Sequence, residues 1–357
     1  MIEYAYVHVP FCKNKCNYCA FTSFINLDYI EKYIDALICQ IKKEYDGTPL
    51  KSLYLGGGTP SLLNIKQIEK VLSCFNFFKN PEITFEINPE NGNKNYLKSL
   101  RNLGVNRLSI GVQTFNDDIL KILGRIHDSG CSKNAIQNAI SSGFENISCD
   151  IMYGLFNQTL EDFKKDIMTL IDFEIPHISS YGLKIEEKTA FYKFCPDNLP
   201  NEEVQEKMYR EMVLDLSNYE HYEISNFAKN KNFISKHNYN YWKLNPYFGF
   251  GVSASGFDGK KRYVNSNLIK KYLENPLLKE EVIEADLLSE TIFLGFRTKE
   301  GINISDINKT FGIDFEKKYS KILEKYINTG HIKKENNNCV LTLDGILISN
   351  YILCDFL

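Results

Sequence analysis

The chain has 357 residues, 43% of them hydrophobic and 24% charged, with a formal net charge of −3. It is long enough for one large α/β body with a smaller appendage, too apolar for disorder and too evenly charged for an electrostatic nucleic-acid footprint. No apolar run approaches the about 20 residues of a membrane span, and the opening MIEYAYVHVPFC lacks the regions of a signal peptide, so a cytoplasmic protein with no nucleic-acid partner is expected.

Tyr4–Val9 reads as a strand, and Leu27–Tyr45 follows with apolar residues at helical spacing. The alternation continues through strands Ser52–Leu55, Ile83–Ile87, Arg107–Val112, Ile147–Ile151 and His177–Lys184. Between them lie helices Ile65–Phe78, Lys94–Leu103, Ser132–Ser142 and Leu160–Phe173, with Gly104 and Gly143 where C-caps belong. Six such units predict a parallel α/β sheet over residues 1–200, an incomplete (β/α)6 version of the eight-unit TIM-like barrel. Residues 201–284 form a barrel extension: a helix over Glu202–Asn218, a strand at His221–Ser225 and an aromatic, Asn-rich stretch from Phe227 to Phe257. Residues 285–357 combine helices Leu287–Phe296, Ile304–Phe311 and Phe315–Thr329 with strands His331–Lys334 and Val340–Thr342, the order of a winged-helix-like domain.

Ten cysteines in a chain of this length give no small disulfide framework, and three of them cluster in His8-Val-Pro-Phe-Cys12-Lys-Asn-Lys-Cys16-Asn-Tyr-Cys19, after the first strand. Three thiolates can hold three irons of a cubane cluster and leave the fourth iron open. Buried free thiols and a zinc site are the alternatives, although zinc wants a fourth ligand and other spacing. The dispersed Cys39, Cys74, Cys131, Cys149, Cys195, Cys339 and Cys354 read as small hydrophobes, and Lys42-Lys43 and Lys333-Lys334 as solvated faces. His8 either tunes a cluster through a hydrogen bond or simply ends a strand.

The CxxxCxxC loop resembles that of the radical S-adenosylmethionine (SAM) superfamily, whose [4Fe–4S] cluster takes SAM on its free iron. Gly56-Gly57-Gly58-Thr59-Pro60 follows the second strand, where glycines let the backbone approach a ligand. Glu86, Gln113, Arg125 and Asp150 fall at or near the ends of later strands, each with a structural ion pair as the plainer reading. From Tyr4 to about Gly259 the chain resembles the oxygen-independent coproporphyrinogen III oxidase family. That resemblance implies SAM contacts from Tyr6, Tyr18, Gly57, Gly58, Thr59, Glu86, Gln113, Arg125 and Asp150. The family's YGLP-GQ is replaced by Tyr153-Gly-Leu-Phe156-Asn157-Gln158, which puts the geometry of that loop in doubt.

Within this family, decarboxylating enzymes have a fourth cysteine two residues after the third and an N-terminal extension. Here Phe21 stands at that position, and only one strand precedes Cys12. His237-Asn238-Tyr239-Asn240-Tyr241-Trp242 matches the HNxxYW pattern of the family's haem-chaperone branch and contains the chain's single Trp. The resemblance therefore implies haem binding through His237, Asn238, Tyr241 and Trp242, with a capping aromatic cluster as the plainer alternative. The expected function is delivery of haem to acceptor haemoproteins, with an electron donor such as a flavodoxin or ferredoxin. Oxidative decarboxylation of coproporphyrinogen III is the alternative, and another radical SAM modification such as methylation comes third.

Overall fold

The computed structural model describes residues 1–357. Six strands follow one another as parallel neighbours: β1 (Tyr4–Val9), β2 (Leu50–Gly57), β3 (Phe77–Ile87), β4 (Arg107–Gln113), β5 (Asn146–Tyr153) and β6 (His177–Gly182). The hairpin β7 (Glu220–Glu223) and β8 (Asn226–Ala228) adds antiparallel beyond β6, while β9 (Phe248–Phe250) adds parallel beside β1. The order β7-β8-β6-β5-β4-β3-β2-β1-β9 never closes, so the sheet is the expected partial barrel, extended by three strands of which the sequence pattern indicated only β7, as His221–Ser225.

Residues alternate along these strands because the two sheet faces meet different surroundings. Leu53 and Leu55, Phe85 and Ile87, and Leu108, Ile110 and Val112 are buried in the main apolar cluster. The helices of the outer layer supply its other side: α1 (Ile30–Glu44), α2 (Ile65–Leu72), α3 (Lys94–Asn102), α4 (Asp117–Ile122), α5 (Ser129–Ser141) and α6 (Leu160–Asp172). The intervening Ser52 and Tyr54, Thr84 and Glu86, and Arg107 and Ser109 take the inner face, which is therefore polar. A polar interior is a place for ligands or water more than a second core.

After the short α7 (Ala190–Lys193) and the long α8 (Glu202–Asp215), helix α9 (Lys236–Trp242) covers the end of the barrel where the strands begin. Its start is docked by chemistry more than by propensity. Ser235 caps it, and the buried carboxylate of Glu82 on β3 accepts from the backbone N–H groups of Lys236 at 3.0 Å and His237 at 2.9 Å. A carboxylate there satisfies donors that a helix start leaves free. A three-stranded antiparallel meander follows, Ser255–Phe257, Lys261–Asn265 and Lys279–Glu284. The remaining helices, with the small sheet of Ile302–Asn303, Asn338–Leu341 and Ile332–Glu335, enclose a separate apolar cluster around Phe296, Phe315, Tyr326 and Phe356.

Other elements also depart from expectation. The helix expected over Ile65–Phe78 stops at Leu72, because Phe77 pairs with Leu50 and begins β3. Helices α4 and α9 were not legible as helices; each is short and begins at an Asn or Ser cap, Asn116 and Ser235.

Candidate functional site

The cysteine loop follows β1 and reaches its shape through backbone contacts to distant segments. Phe24 N–H donates to Pro10 O at 2.7 Å and Cys12 N–H to Phe24 O at 3.1 Å, which closes the loop on itself. Asn14 Nδ2 donates to Gly124 O at 2.7 Å and Asn17 Nδ2 to Ile122 O at 2.8 Å, while Phe191 N–H of α7 donates to Asn17 O at 3.0 Å. The residues between the cysteines thus hold the loop against the end of α4. Cys12, Cys16 and Cys19 all line one cavity of about 350 Å³ at the C-terminal ends of the strands.

The loop after β2 crosses beneath them. Gly57 adopts φ +115°, and a Cβ on it would lie 2.5 Å from the His8 ring; a Cβ on Gly58 would lie 2.7 Å from Phe11 O. These glycines are required by the crossing of two chain segments, and both border the cavity. Thr59 Oγ1 donates to Cys12 Sγ and Arg125 Nη1 to Cys16 Sγ, each at 3.5 Å. Arg125 Nη2 is held by Gly111 O at 2.8 Å and Asn88 Oδ1 at 3.1 Å. Burial raises the Cys12 and Cys19 thiols, and the Thr59 hydroxyl opposes it at Cys12; three sulfurs on one cavity are the donor set that an iron–sulfur cluster takes, so these residues fit one. No three His, Cys, Asp or Glu side chains converge on one point as the ligands of a single ion would. A cubane asks for less convergence, because each thiolate meets its own iron.

Deeper in the cavity stand two carboxylates. Glu86 accepts from Tyr54 OH at 2.7 Å and from Gly57 N–H at 3.0 Å, and both oxygens of Asp150 face Ser109 Oγ at 3.1–3.2 Å. Gln113 ends β4 in the left-handed region, φ +69°, beside a register shift, and its side chain lines the cavity. A glutamine there stores backbone strain of about 1–3 kcal/mol, as ligand-facing positions often do. Tyr18 also lines the cavity, whereas Tyr6 does not: its hydroxyl bonds His8 Nδ1 at 2.8 Å and its ring lies 6.1 Å from Tyr54. His8 Nε2 in turn bonds Thr22 O at 2.9 Å, so this pair braces the cysteine loop from below.

Burial pushes Glu86 up to about 7; the Asp150 charge adds to the push, and bonds from Tyr54 and Gly57, with the Arg107 cation, oppose it. Burial likewise raises Asp150, against the hydroxyls of Ser179 and Ser109. Between the ordinary value of 4.5 and about 7 the folded chain keeps a proton on Glu86 that the unfolded chain has lost. Its contribution to stability is thus complete below that window and declines as pH rises through it. Glu86→Gln is expected to abolish the decline: in thermal scans of the ligand-free protein, the variant gains on the wild type from about pH 5 to about pH 7. A constant difference across that range would refute the burial account.

Several cavity residues escaped sequence reasoning, above all Arg107. It is 1% exposed, lines the cavity floor, and its Nε has no hydrogen-bond partner. It stands on the same face of β4 as Ser109, Gly111 and Gln113, so the period of two along RLSIGVQ was the available signal. Tyr54, Asn88, Ser179 and Tyr181 join it there by the same rule.

The HNxxYW segment, which forms α9, is not gathered into one site. His237 is fully buried, with Nδ1 bonded to Ser52 Oγ and Nε2 to Tyr241 OH, both at 2.8 Å, so as placed it offers no free nitrogen to an iron. Asn238 reaches the cysteine cavity, while Trp242 lines a different pocket under the Arg297 guanidinium, 5.7 Å from its ring. Phe156 and Asn157, where the chain departs from the family loop, are accommodated: Phe156 packs edge-on against Phe191 at 4.8 Å, and Asn157 takes φ +60°.

A family model described as the Radical SAM superfamily matches residues 6–170, and one described as the HemN C-terminal domain matches residues 284–348. The chain is 35% identical to "Heme chaperone HemW" of Bacillus subtilis, across 99% of this chain and 98% of that one. It is 33% identical to the protein of the same name from Lactococcus lactis, across 99% and 97%. Among solved structures it is similar to coproporphyrinogen III oxidase (HemN) from Escherichia coli, with a TM-score of 0.88 and 22% identity over 99% of this chain and 90% of that one, a likeness of fold. No helix is long and apolar enough to cross a membrane. Full-length identity to these relatives, over a partial barrel with its cysteine loop at the strand ends, makes the chain a member of the radical SAM superfamily, in the coproporphyrinogen III oxidase-like family and its HemW branch.

Proposed function

We propose that the protein is a haem carrier that holds a [4Fe–4S] cluster on Cys12, Cys16 and Cys19, binds SAM beside it, and passes haem to acceptor haemoproteins. Gly57, Gly58 and the side chains of Thr59, Tyr18 and Gln113 give SAM its walls. Glu86 and Asp150 retain acceptor capacity for ribose hydroxyls, and Arg125 screens the Cys16 sulfur. When bound, cluster and SAM supply one-electron chemistry, for which a flavodoxin or ferredoxin is the proposed donor. Soluble, cytoplasmic operation is part of the same reading.

The observation that carries the carrier reading over the decarboxylase is Phe21. It lines the mouth of the cavity, 69% exposed, where the decarboxylating enzymes place a thiol. An aromatic ring offers no redox-capable sulfur to a substrate there. The test is an anaerobic assay of the reconstituted protein with SAM, reductant and coproporphyrinogen III, beside an authentic oxidase. No protoporphyrin is expected from a preparation with intact cluster and SAM binding; conversion over many turnovers would establish the decarboxylase instead.

A further inference from the structure

Arg107 is a charged side chain at a level of the barrel where several polar groups go unpaired. It stands on β4 between β3 and β5, it is 1% exposed, and its Nε has no hydrogen-bond partner. Its neighbours in register are Thr84 of β3 and Asn146 of β5, and Thr84 Oγ1 and Asn146 Oδ1 are likewise buried without partners. Arginine ion pairs within 4.0 Å are formed by Arg210 and Arg262, and Arg107 forms none. Burying a cation without a contacting anion is unfavourable, and charge at longer range is what can offset it.

Two such charges stand one step up the barrel. Ser109 follows Arg107 on the inner face of β4; Glu86 pairs with Ser109 in register from β3, and Asp150 of β5 presents both oxygens to Ser109 Oγ. A step of two residues along a strand is about 7 Å. The guanidinium therefore borders the same cavity as both carboxylates, on the strand between theirs and one layer below. From there a cation favours the ionised form of each. Its charge opposes the burial that lifts Glu86 to about 7 and raises Asp150.

The other titratable groups facing the two acids are the phenols of Tyr6 on β1, Tyr54 on β2, Tyr181 on β6 and Tyr241 on α9, with the Cys149 thiol on β5. Burial raises all of them, so none is charged at neutral pH. His177 and His237 face the guanidinium from β6 and α9, and burial together with its charge keeps both neutral. An ionised carboxylate only accepts hydrogen bonds, whereas a protonated one carries a donor that competes with a donating diol.

We propose that Arg107 is a positioning residue of this cavity: a buried counter-charge that holds Glu86 and Asp150 in the accepting form a ribose diol requires. The inference rests on the SAM-binding reading and adds the group that prepares its carboxylates.

The experiment titrates the full-length, cluster-reconstituted protein with SAM, adenosine and 2′,3′-dideoxyadenosine by calorimetry across neutral pH. For the wild type, affinity for SAM and adenosine is expected to rise with pH through about 7 and then level, as Glu86 loses its proton; the dideoxy compound, which has no diol, should show no rise. Arg107→Met removes the charge and keeps the length. It should move the midpoint of the rise up by about one pH unit, which weakens SAM about tenfold below pH 7. Arg107→Lys keeps the charge and should restore the wild-type midpoint. A direct effect on SAM has the opposite sign, because SAM is a net cation and loss of a repelling charge would tighten it. Circular dichroism verifies folding, and if Arg107→Met does not fold, Arg107→Gln carries the same expectation. An unchanged midpoint in the uncharged variant would overturn the inference and leave SAM binding standing. So would tighter SAM binding, a lysine that fails to restore the midpoint, or equal losses for adenosine and its dideoxy counterpart, since the arginine would then merely shape the cavity. No SAM binding by the wild type at any pH would end the SAM reading and this inference with it.

Discussion

Cys16→Ala is expected to abolish the iron–sulfur absorbance of the anaerobically reconstituted protein while the apo fold survives. Three thiols serve three irons, and no other cysteine lines the cavity to replace the missing ligand. The loop around Cys16 is held by Asn14, Asn17 and the Cys12–Phe24 backbone bond, none of which uses the thiol. Its removal forfeits the Arg125 contact at 3.5 Å, so the ligand-free melting temperature should move by no more than about 0.5 kcal/mol of stability would produce. Cluster absorbance that persisted in this variant would disprove the ligand set. Loss of both absorbance and fold would show that the thiol supports the loop itself.

The second large effect is on stability and comes from the other end of the barrel. His237→Ala should cost about 3–5 kcal/mol in urea denaturation. The change leaves Ser52 Oγ and Tyr241 OH without their imidazole partner and opens a void beneath Tyr54, whose ring lies 5.3 Å from that of His237. Burial, reinforced by the Arg107 cation, lowers His237 to about 3, so the ring is neutral at ordinary pH and serves as a hydrogen-bonded plug. Haem affinity of the variant that remains folded should stay near the wild-type value. A collapse in haem affinity with unchanged stability would return His237 to the role of iron ligand that its motif suggests.

The two ends of the barrel differ in how legible they were. The cysteine spacing and the glycine run are local, and the chemistry they imply needs residues close in sequence; the chain shows both in a cavity where strands end. Glu86, Gln113 and Asp150 were reachable because each sits near the end of a strand of clear pattern, whereas Arg125 follows helix α4 and was offered by its flanking residues. Tyr6, which the family resemblance alone offered, bonds His8 and does not line the cavity. Arg107 was hidden inside an apolar-looking strand, and its importance lies in what it lacks, a partner. The inward turn of His237 depends on Ser52, 185 residues earlier, and no local pattern encodes such a meeting. Helix α9 is built from Asn and aromatic residues with little intrinsic helicity, and the Glu82 carboxylate that docks it comes from 154 residues away.

The tethers of the cysteine loop also impose an order of events on biogenesis. Asn14 and Asn17 bond carbonyls that lie 110 and 105 residues further along the chain. A nascent chain that has exposed only its three cysteines therefore has no template for their arrangement, and it must wait until residues 122–124 have been synthesised and packed. Loading of the proposed cluster is thus a late step, performed on a chain whose first third has already folded. Until then the thiols are separate, oxidisable side chains.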